Sequence, residues 1–486
     1  MADKNEWGSN LSFILAMIGS AVGLGNIWRY PYVLYSNGGG AFYIPYIVAI
    51  LLMGIPFLIL EYGVGYDFKS SFPKAIRSIH SNWEFLGWLL PVAVFIIMIY
   101  YSAILGWDGI YMILSFSKGW GANPDTFFAN TLLHSTDSVS GLLTFIPIIA
   151  VAMLVGWVII WFVSHRDLEE GLGKVSKVLV PALFVIMVII VGVSLTLPGA
   201  SIGLAELFNP NWSLLGHFEI WMAAFGQIVF SLSLGMSIAF TYASYTKDDA
   251  DLITNTISIA LANSLFENFA ALGVFSILGY MSTTSGTPMV QLVTEGTGLV
   301  FIVFPMIFNI MGPIGRILAP LLFLAILFAG VTSALGFFEP MLSSTSAKLG
   351  WSRKRTSTIL SIIGCAFSLL LTTGISSYLV GIIDSFVNEF GILILIGIQC
   401  IIFAWFYGIE HFIPALNEAS TFKVGKTWTF IIKYLLPLVL IVMWAIGIFK
   451  LFSSAKTFEI IIDLIIIISV MVAAFVLTKV KPAGDG

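Results

Sequence analysis

Two stretches of this chain place glycine and small polar residues in the middle of long apolar runs. The first reads Gly19-Ser20-Ala21-Val22-Gly23-Leu24-Gly25-Asn26 and the second Ser231-Leu232-Ser233-Leu234-Gly235-Met236. Glycine is a weak helix former and tolerates irregular backbone. A helix interrupted there frees carbonyl oxygens that can coordinate a cation. A new helix starting beyond Gly23 offers unpaired amides to an anion. A third feature is Glu267, one helical turn after Asn263 and so on the same face. An ionisable group inside a membrane span is costly and is a functional candidate by default. These residue types suit the binding of a charged solute beside a cation rather than bond-making chemistry. No histidine cluster, metal motif or nucleophile–base pairing accompanies them, and the five histidines lie mainly in loops.

Composition says what must position them. Hydrophobic residues make up 58% of the 486, charged residues 10%, and the mean hydropathy is +0.99. A soluble chain carries about 25% charged residues. The polar surface is too small to cover a water-soluble globule, so the chain is expected in a lipid bilayer. Disorder, collagen, a secreted disulfide scaffold and nucleic-acid binding are excluded at this step. Cys365 and Cys400 sit within apolar runs and read as core residues rather than a disulfide or metal site. The first apolar run carries Asn26, Trp28 and Arg29 and reads as mature protein, not as a cleaved signal.

Twelve runs are long enough to cross the hydrocarbon core, roughly 11–36, 41–65, 85–115, 142–163, 176–197, 219–245, 252–280, 318–346, 356–376, 379–407, 428–451 and 457–478. They are too long for barrel strands, so they are read as helices. With the N-terminus inside, seventeen of the 22 lysines and arginines fall on inner loops. That bias places both termini in the cytoplasm. The longer connections, near 117–141, 198–217 and 282–317, are then outside. The interruptions open the first and sixth runs, each the head of a five-helix block. Broken helices at matching positions in two halves indicate an inverted-repeat transporter with its site at the midplane. Small residues in membrane helices also serve close packing, but two such sites in register, each beside polar residues, favour a binding site. The expected organisation is a core over residues 1–450, including span 11, and span 12 with a short tail over 451–486.

The segment Ser20-Ala-Val-Gly-Leu-Gly-Asn-Ile-Trp-Arg-Tyr-Pro-Tyr, followed by Asn37-Gly-Gly-Gly-Ala-Phe, resembles the first-helix signature of the neurotransmitter:sodium symporter family. Gly226-Gln-Ile-Val-Phe-Ser-Leu-Ser-Leu-Gly-Met with Thr241-Tyr-Ala-Ser-Tyr is similar to its sixth helix, and Ala329-Gly-Val-Thr-Ser-Ala to its eighth. The likeness covers about residues 5–450 and is strongest to the prokaryotic amino-acid-transporting branch. It implies an all-α polytopic protein of twelve spans with a 5+5 inverted repeat, the bacterial leucine transporter fold, in a prokaryotic cell membrane as a monomer or homodimer.

The resemblance also implies a site. A first sodium falls to the Ala21 carbonyl, Asn26, Ser231 and Asn263, with the carboxylate of the substrate completing the shell. A second falls to the carbonyls of Gly19, Val22 and Ala329 and the hydroxyls of Thr332 and Ser333. The substrate region maps to Ala21, Gly23, Leu24, Gly25, Ile97, Tyr101, Phe230, Ser231, Ser233, Met236 and Phe337. Monoamine-carrying relatives have an aspartate at position 23; Gly23 implies a substrate that brings its own carboxylate. The apolar pocket favours a bulky hydrophobic or aromatic amino acid. Glu267 resembles the carboxylate of chloride-independent members, so no chloride is expected. Arg29 and Asp384 are expected to form an outer gate, with Tyr101 and Phe230 as a lid. Lys4 and Trp7 match an inner latch whose usual acid is missing at Ala347, leaving Tyr245 as a candidate partner. Glu61 is expected to accept span 6 amides, and Glu339 to support the second sodium or pair with another polar group. A membrane sensor without net transport and a proton-coupled porter stay open as alternatives.

Overall fold

The computed structural model describes residues 6–294 and 296–482. Among them the chain is helical throughout, with a single isolated bridge between Phe145 and Thr373. Among the described residues nine helices are long and apolar enough to cross a membrane. They are span 2 (Gly39–Phe68), span 3 (Ser81–Ser115), span 4 (Pro147–Ser164), span 5 (Glu169–Leu195), span 7 (Leu252–Ser285), span 8 (Gly312–Leu349), span 9 (Arg353–Thr372), span 11 (Lys426–Phe449) and span 12 (Thr457–Lys479). Two bent pairs add span 1 (Asn10–Ala21 and Leu24–Ser36, 52°) and the Ile392–Tyr407 part of span 10, which turns by 65° into Ile409–Ala419. Span 6 is the twelfth. Its pieces, Phe218–Ser231 and Ile238–Ser244, are each too short to cross alone, because the run is interrupted where the sequence places its small residues.

Most boundaries fall within a few residues of the apolar runs. Span 5 starts earlier, at Glu169, because its first turn is a π-helix over Glu169–Gly173 whose polar residues hide it from hydropathy. The three longer connections are not plain loops. They carry helical segments at 124–132, Ala200–Phe208 and Leu299–Ile310.

Spans 3 and 8 form the middle of the bundle. In their most apolar stretches 89% and 78% of residues are buried, against 17% in span 12. Span 12 instead exposes Ile461, Leu464, Ile468 and Phe475 around its outer side, a surface that suits lipid and not water. Glycines let the central helices touch. A Cβ on Gly336 of span 8 would lie 2.3 Å from the Ser20 hydroxyl of span 1, and one on Gly330 would lie 2.4 Å from Leu105 of span 3. Such close approach is how helices associate where lipid offers no hydrophobic drive.

The second half of span 6, Ile238–Ser244, is fixed the same way. A Cβ on Gly65 of span 2 would sit 2.2 Å from the Phe240 carbonyl oxygen, which is backbone and cannot step aside. Gly65→Ala is therefore expected to cost about 1–3 kcal/mol by overpacking, read as a lowered unfolding midpoint in detergent. Gly156→Ala, with nothing within 4 Å of the added carbon, should leave the midpoint unchanged or raise it slightly.

Candidate substrate and ion site

The site is made where the two broken spans meet. In span 1 the last bond of the first half runs from the Val22 amide to the Ile18 carbonyl at 2.6 Å. Gly23 is then extended, and its amide is taken by the Asn26 side-chain oxygen at 2.9 Å, which caps the second half. In span 6 the helix stops after Ser231. Ser233, Gly235 and Ser237 all have positive φ, at 51°, 70° and 53°. Only glycine adopts that region freely, so the two serines store strain of about 1–3 kcal/mol each.

Side chains of other spans satisfy the exposed backbone. Glu61 of span 2 accepts the Gly235 amide at 3.3 Å, as the sequence led us to expect. Gln399 of span 10 donates to the Gly235 carbonyl at 3.4 Å. Ser233 donates to the Ser20 carbonyl at 3.3 Å, joining the two breaks. Gln399 was not foreseen; its signal was a lone amide in an otherwise apolar run.

The residues expected around a first sodium lie together. Asn26 donates to the Asn263 side-chain oxygen at 2.8 Å, and Asn263 donates to the Ser231 hydroxyl at 3.2 Å. Ser231 belongs to this cluster and is absent from the lining of the cavity described below, where the substrate set had placed it. Glu267 is fully buried beside them. It accepts from Gln227 at 3.0 Å, from Asn26 at 3.3 Å and from the Tyr46 hydroxyl. Tyr46 and Gln227 are two partners that sequence reading missed.

The second set is also assembled. The Ser333 hydroxyl donates to the Gly19 carbonyl at 3.3 Å and lies 3.4 Å from that of Ser20. Thr332 turns back to its own helix, donating to the Phe328 and Ala329 carbonyls at 3.0 Å. A Cβ on Gly19 would lie 3.0 Å from the Thr332 Cβ and 3.4 Å from its methyl, so this side chain packs on span 1 through carbon. Val22 is buried at the end of the first half-helix.

Between the breaks lies a cavity of about 360 Å³. Ala21, Gly23, Leu24 and Gly25 line one wall; Ile97 and Tyr101 of span 3 line another, and Phe230, Ser233, Met236 and Phe337 the rest. A Cβ on Gly23 would sit 2.8 Å from the Ser333 hydroxyl and 3.7 Å from that of Tyr101. Tyr101 also meets Phe337 edge-on, with ring centroids 5.2 Å apart. Phe230 packs on Gly25 so closely that a Cβ there would be 2.0 Å from its ring. The Arg29 guanidinium lies over the other part of that ring, 4.7 Å from its centroid. Arg29, Phe230 and Met236 also line a second cavity of about 920 Å³ that reaches Glu219, Glu459 and Asp463. Asp384 borders the smaller cavity with Arg29. Its Oδ1 accepts from Tyr100 at 2.6 Å and from Asn388 at 2.8 Å.

The opposite end of span 1 is knitted shut. Trp7 is buried; its indole donates to the Tyr242 carbonyl at 2.8 Å and its amide to the Tyr245 carbonyl at 3.0 Å. Tyr245 donates to Glu339 at 3.0 Å, and Glu339 binds Arg353 through both carboxylate oxygens at 2.5 and 2.7 Å. Glu339 is thus paired with Tyr245 and Arg353, the polar pairing that was one of its two expected roles. Asn10 and Asn255 of span 7 exchange side-chain bonds at 3.1 and 2.7 Å. Lys4 lies outside the described residues.

Comparison with known proteins agrees with this arrangement. The profile of the sodium:neurotransmitter symporter family matches residues 4–127 and 120–480. An uncharacterized sodium-dependent transporter of Methanocaldococcus jannaschii is 36% identical over 483 residues, covering 99% of this chain and 98% of its own. The sodium-dependent dopamine transporter of Caenorhabditis elegans is 27% identical, covering 90% of this chain and 80% of its own. The sodium-dependent serotonin transporter of Drosophila melanogaster is also 27% identical, covering 92% and 76%. A family match along nearly the whole chain, on a helical bundle broken at its first and sixth spans, establishes that this chain is a membrane transporter of the sodium:neurotransmitter symporter family.

Proposed function

We propose that this protein is a sodium-coupled symporter of neutral, bulky hydrophobic or aromatic amino acids, chloride-independent, working by alternating access with both termini in the cytoplasm. One observation carries the reading. The two chain breaks meet around a cavity of about 360 Å³, lined by apolar side chains together with Tyr101, Ser333 and the glycines of span 1, with a cluster of hydroxyl and amide oxygens at its side. Sodium takes hard oxygen ligands, and the breaks offer carbonyls for it. One ion sits among Ala21, Asn26, Ser231 and Asn263, and the other among Gly19, Val22, Ala329, Thr332 and Ser333.

The substrate class follows from position 23. Dopamine and serotonin, named for two relatives, are amines without a carboxylate. At Gly23 an added side chain would press on Ser333, and the described cavity lining holds no carboxylate except Asp384, which Tyr100 and Asn388 occupy. The negative charge against the first sodium then comes from the substrate. Its carboxylate meets the Leu24 and Gly25 amides and the Tyr101 hydroxyl, and its side chain meets Ile97, Met236 and Phe337.

Three measurements test this. In proteoliposomes, uptake of a labelled hydrophobic amino acid should vanish when choline replaces sodium at fixed pH; uptake that follows a proton gradient instead would sink the reading in favour of a proton-coupled porter. Substrate binding without any uptake would favour a sensor. Asn263→Ala should raise the sodium concentration for half-maximal uptake by tenfold or more, the scale of one lost ligand to a cation (about 1.5–3 kcal/mol). Glu267→Ser removes the carboxylate beside Asn26 and Asn263, and uptake should become dependent on added chloride, while the unaltered protein is indifferent to it.

A further inference from the structure

One carboxylate ties the cytoplasmic end of span 1 to span 5. Glu169 opens the π-helical turn Glu169–Gly173 at the head of span 5. Its Oε2 accepts the backbone N–H of Gly8 at 2.9 Å. Its Oε1 accepts the Ser12 hydroxyl at 2.9 Å and the Lys177 ammonium at 2.6 Å. Two glycines make the space it fills. A Cβ on Gly8 would lie 2.7 Å from the Glu169 carboxyl carbon, and one on Gly173 would lie 2.7 Å from Oε2. Span 5 also backs the other end of this half-helix, where a Cβ on Gly19 would be 2.9 Å from Val180. Lys177 and Val180 are three residues apart and share a helix face. The same stretch of span 5 therefore braces both the Glu169 contact and the residue whose carbonyl Ser333 reaches.

At the end of span 8, where relatives are expected to supply the acid of the inner gate, stands Ala347. Its neighbour Lys348 is buried and paired with Glu84. The span 8 acid at this end, Glu339, is taken by Tyr245 and Arg353, so an acid that holds span 1 directly comes from another helix. We propose that Glu169 is that acid: a positioning residue that latches the first half of span 1 against span 5 and must release for the cytoplasmic side to open. It touches neither the cavity nor the two ion clusters. The latch rests on the symport reading above. It is placed to break, since it is partly exposed and springs from a π-helical turn, a rare form that is frequent at functional sites.

Hydrogen–deuterium exchange of the full-length protein in lipid nanodiscs, at saturating sodium, tests it. Glu169→Ala should speed exchange of the amides over residues 8–21 by about tenfold, the size of one charge-assisted hydrogen bond. Span 12 should not change. Glu169→Gln, which keeps an acceptor but loses the charge opposite Lys177, should fall between. Raising sodium further should restore part of the protection, which a general loss of packing would not allow. Ser12→Ala removes one donor only and should accelerate the same segment less, so it stands in should Glu169→Ala not fold. Unchanged exchange over 8–21 in the variants, or an increase shared equally by span 12, overturns the latch. Sodium-independent uptake by the unaltered protein overturns instead the symport reading beneath it.

Discussion

Inside a bilayer an unpaired amide or carbonyl has no water to turn to. That constraint governs the centre of this molecule. Span 6 leaves its helix after Ser231 and span 1 is cut at Val22 and Gly23, so both release backbone groups at the depth where they are most costly. Each released group then needs a partner from another helix. Glu61 and Gln399 take the two ends of the Gly235 residue, Ser233 and Ser333 reach the carbonyls of Ser20 and Gly19, and Asn26 folds back on the Gly23 amide. The breaks are stable only because spans 2, 8 and 10 are in place. Conversely, those spans carry buried polar groups that would be liabilities without the breaks. A bound cation belongs to the same logic, as one more partner for a carbonyl that a helix has given up.

Small residues make this geometry possible. Gly25 leaves room for the Phe230 ring, and Gly23 leaves room for the Ser333 and Tyr101 hydroxyls. Any side chain at either position would fill the cavity from within. The left-handed serines 233 and 237 are the complementary case, where the fold accepts strain to keep polar side chains at the break. Strain held at a binding site can be relieved or reversed by what binds, which gives a ligand purchase on helix position.

Much of this was legible in the sequence. The span pattern came from hydropathy, and both interruptions from glycine and serine beside polar residues at matching positions of two apolar runs. Ser333, Asn26 and Asn263 came from likeness to a family signature. What escaped has a common physical cause. Gln399, Tyr46, Gln227, Asn255 and Glu169 act through tertiary contacts, and nothing in the residues beside each of them names its partner. Hydropathy sees such a residue as noise. The start of span 5 was missed for the same reason: a π-helical turn rich in glutamate and glycine carries no apolar signal, yet it is continuous with the span. The Glu339–Arg353 pair could not be read either, because fourteen positions separate the partners across the end of a helix.

The two halves of span 1 answer to different neighbours, and that division makes the span a joint. The second half carries Asn26 to the Asn263 and Glu267 cluster of span 7 and Arg29 to the Phe230 ring. The first half is held by Trp7, Asn10 and Ser12 to spans 6, 7 and 5. Between them the axis bends by 52° at two residues. A straight helix would transmit any displacement along its length, whereas a jointed one lets each end be bound or released separately. In the described arrangement the end near Trp7 is closed by direct hydrogen bonds, while the other end opens on the cavities of about 360 and 920 Å³. The Ser333–Gly19 bond sits just before the joint, on the half that Trp7, Asn10 and Ser12 hold. On the symport reading, an ion proposed at that position acts on this half directly and on the other half only through Gly23. On the symport reading, that asymmetry lets a single sodium hold one side shut while the substrate site fills from the other.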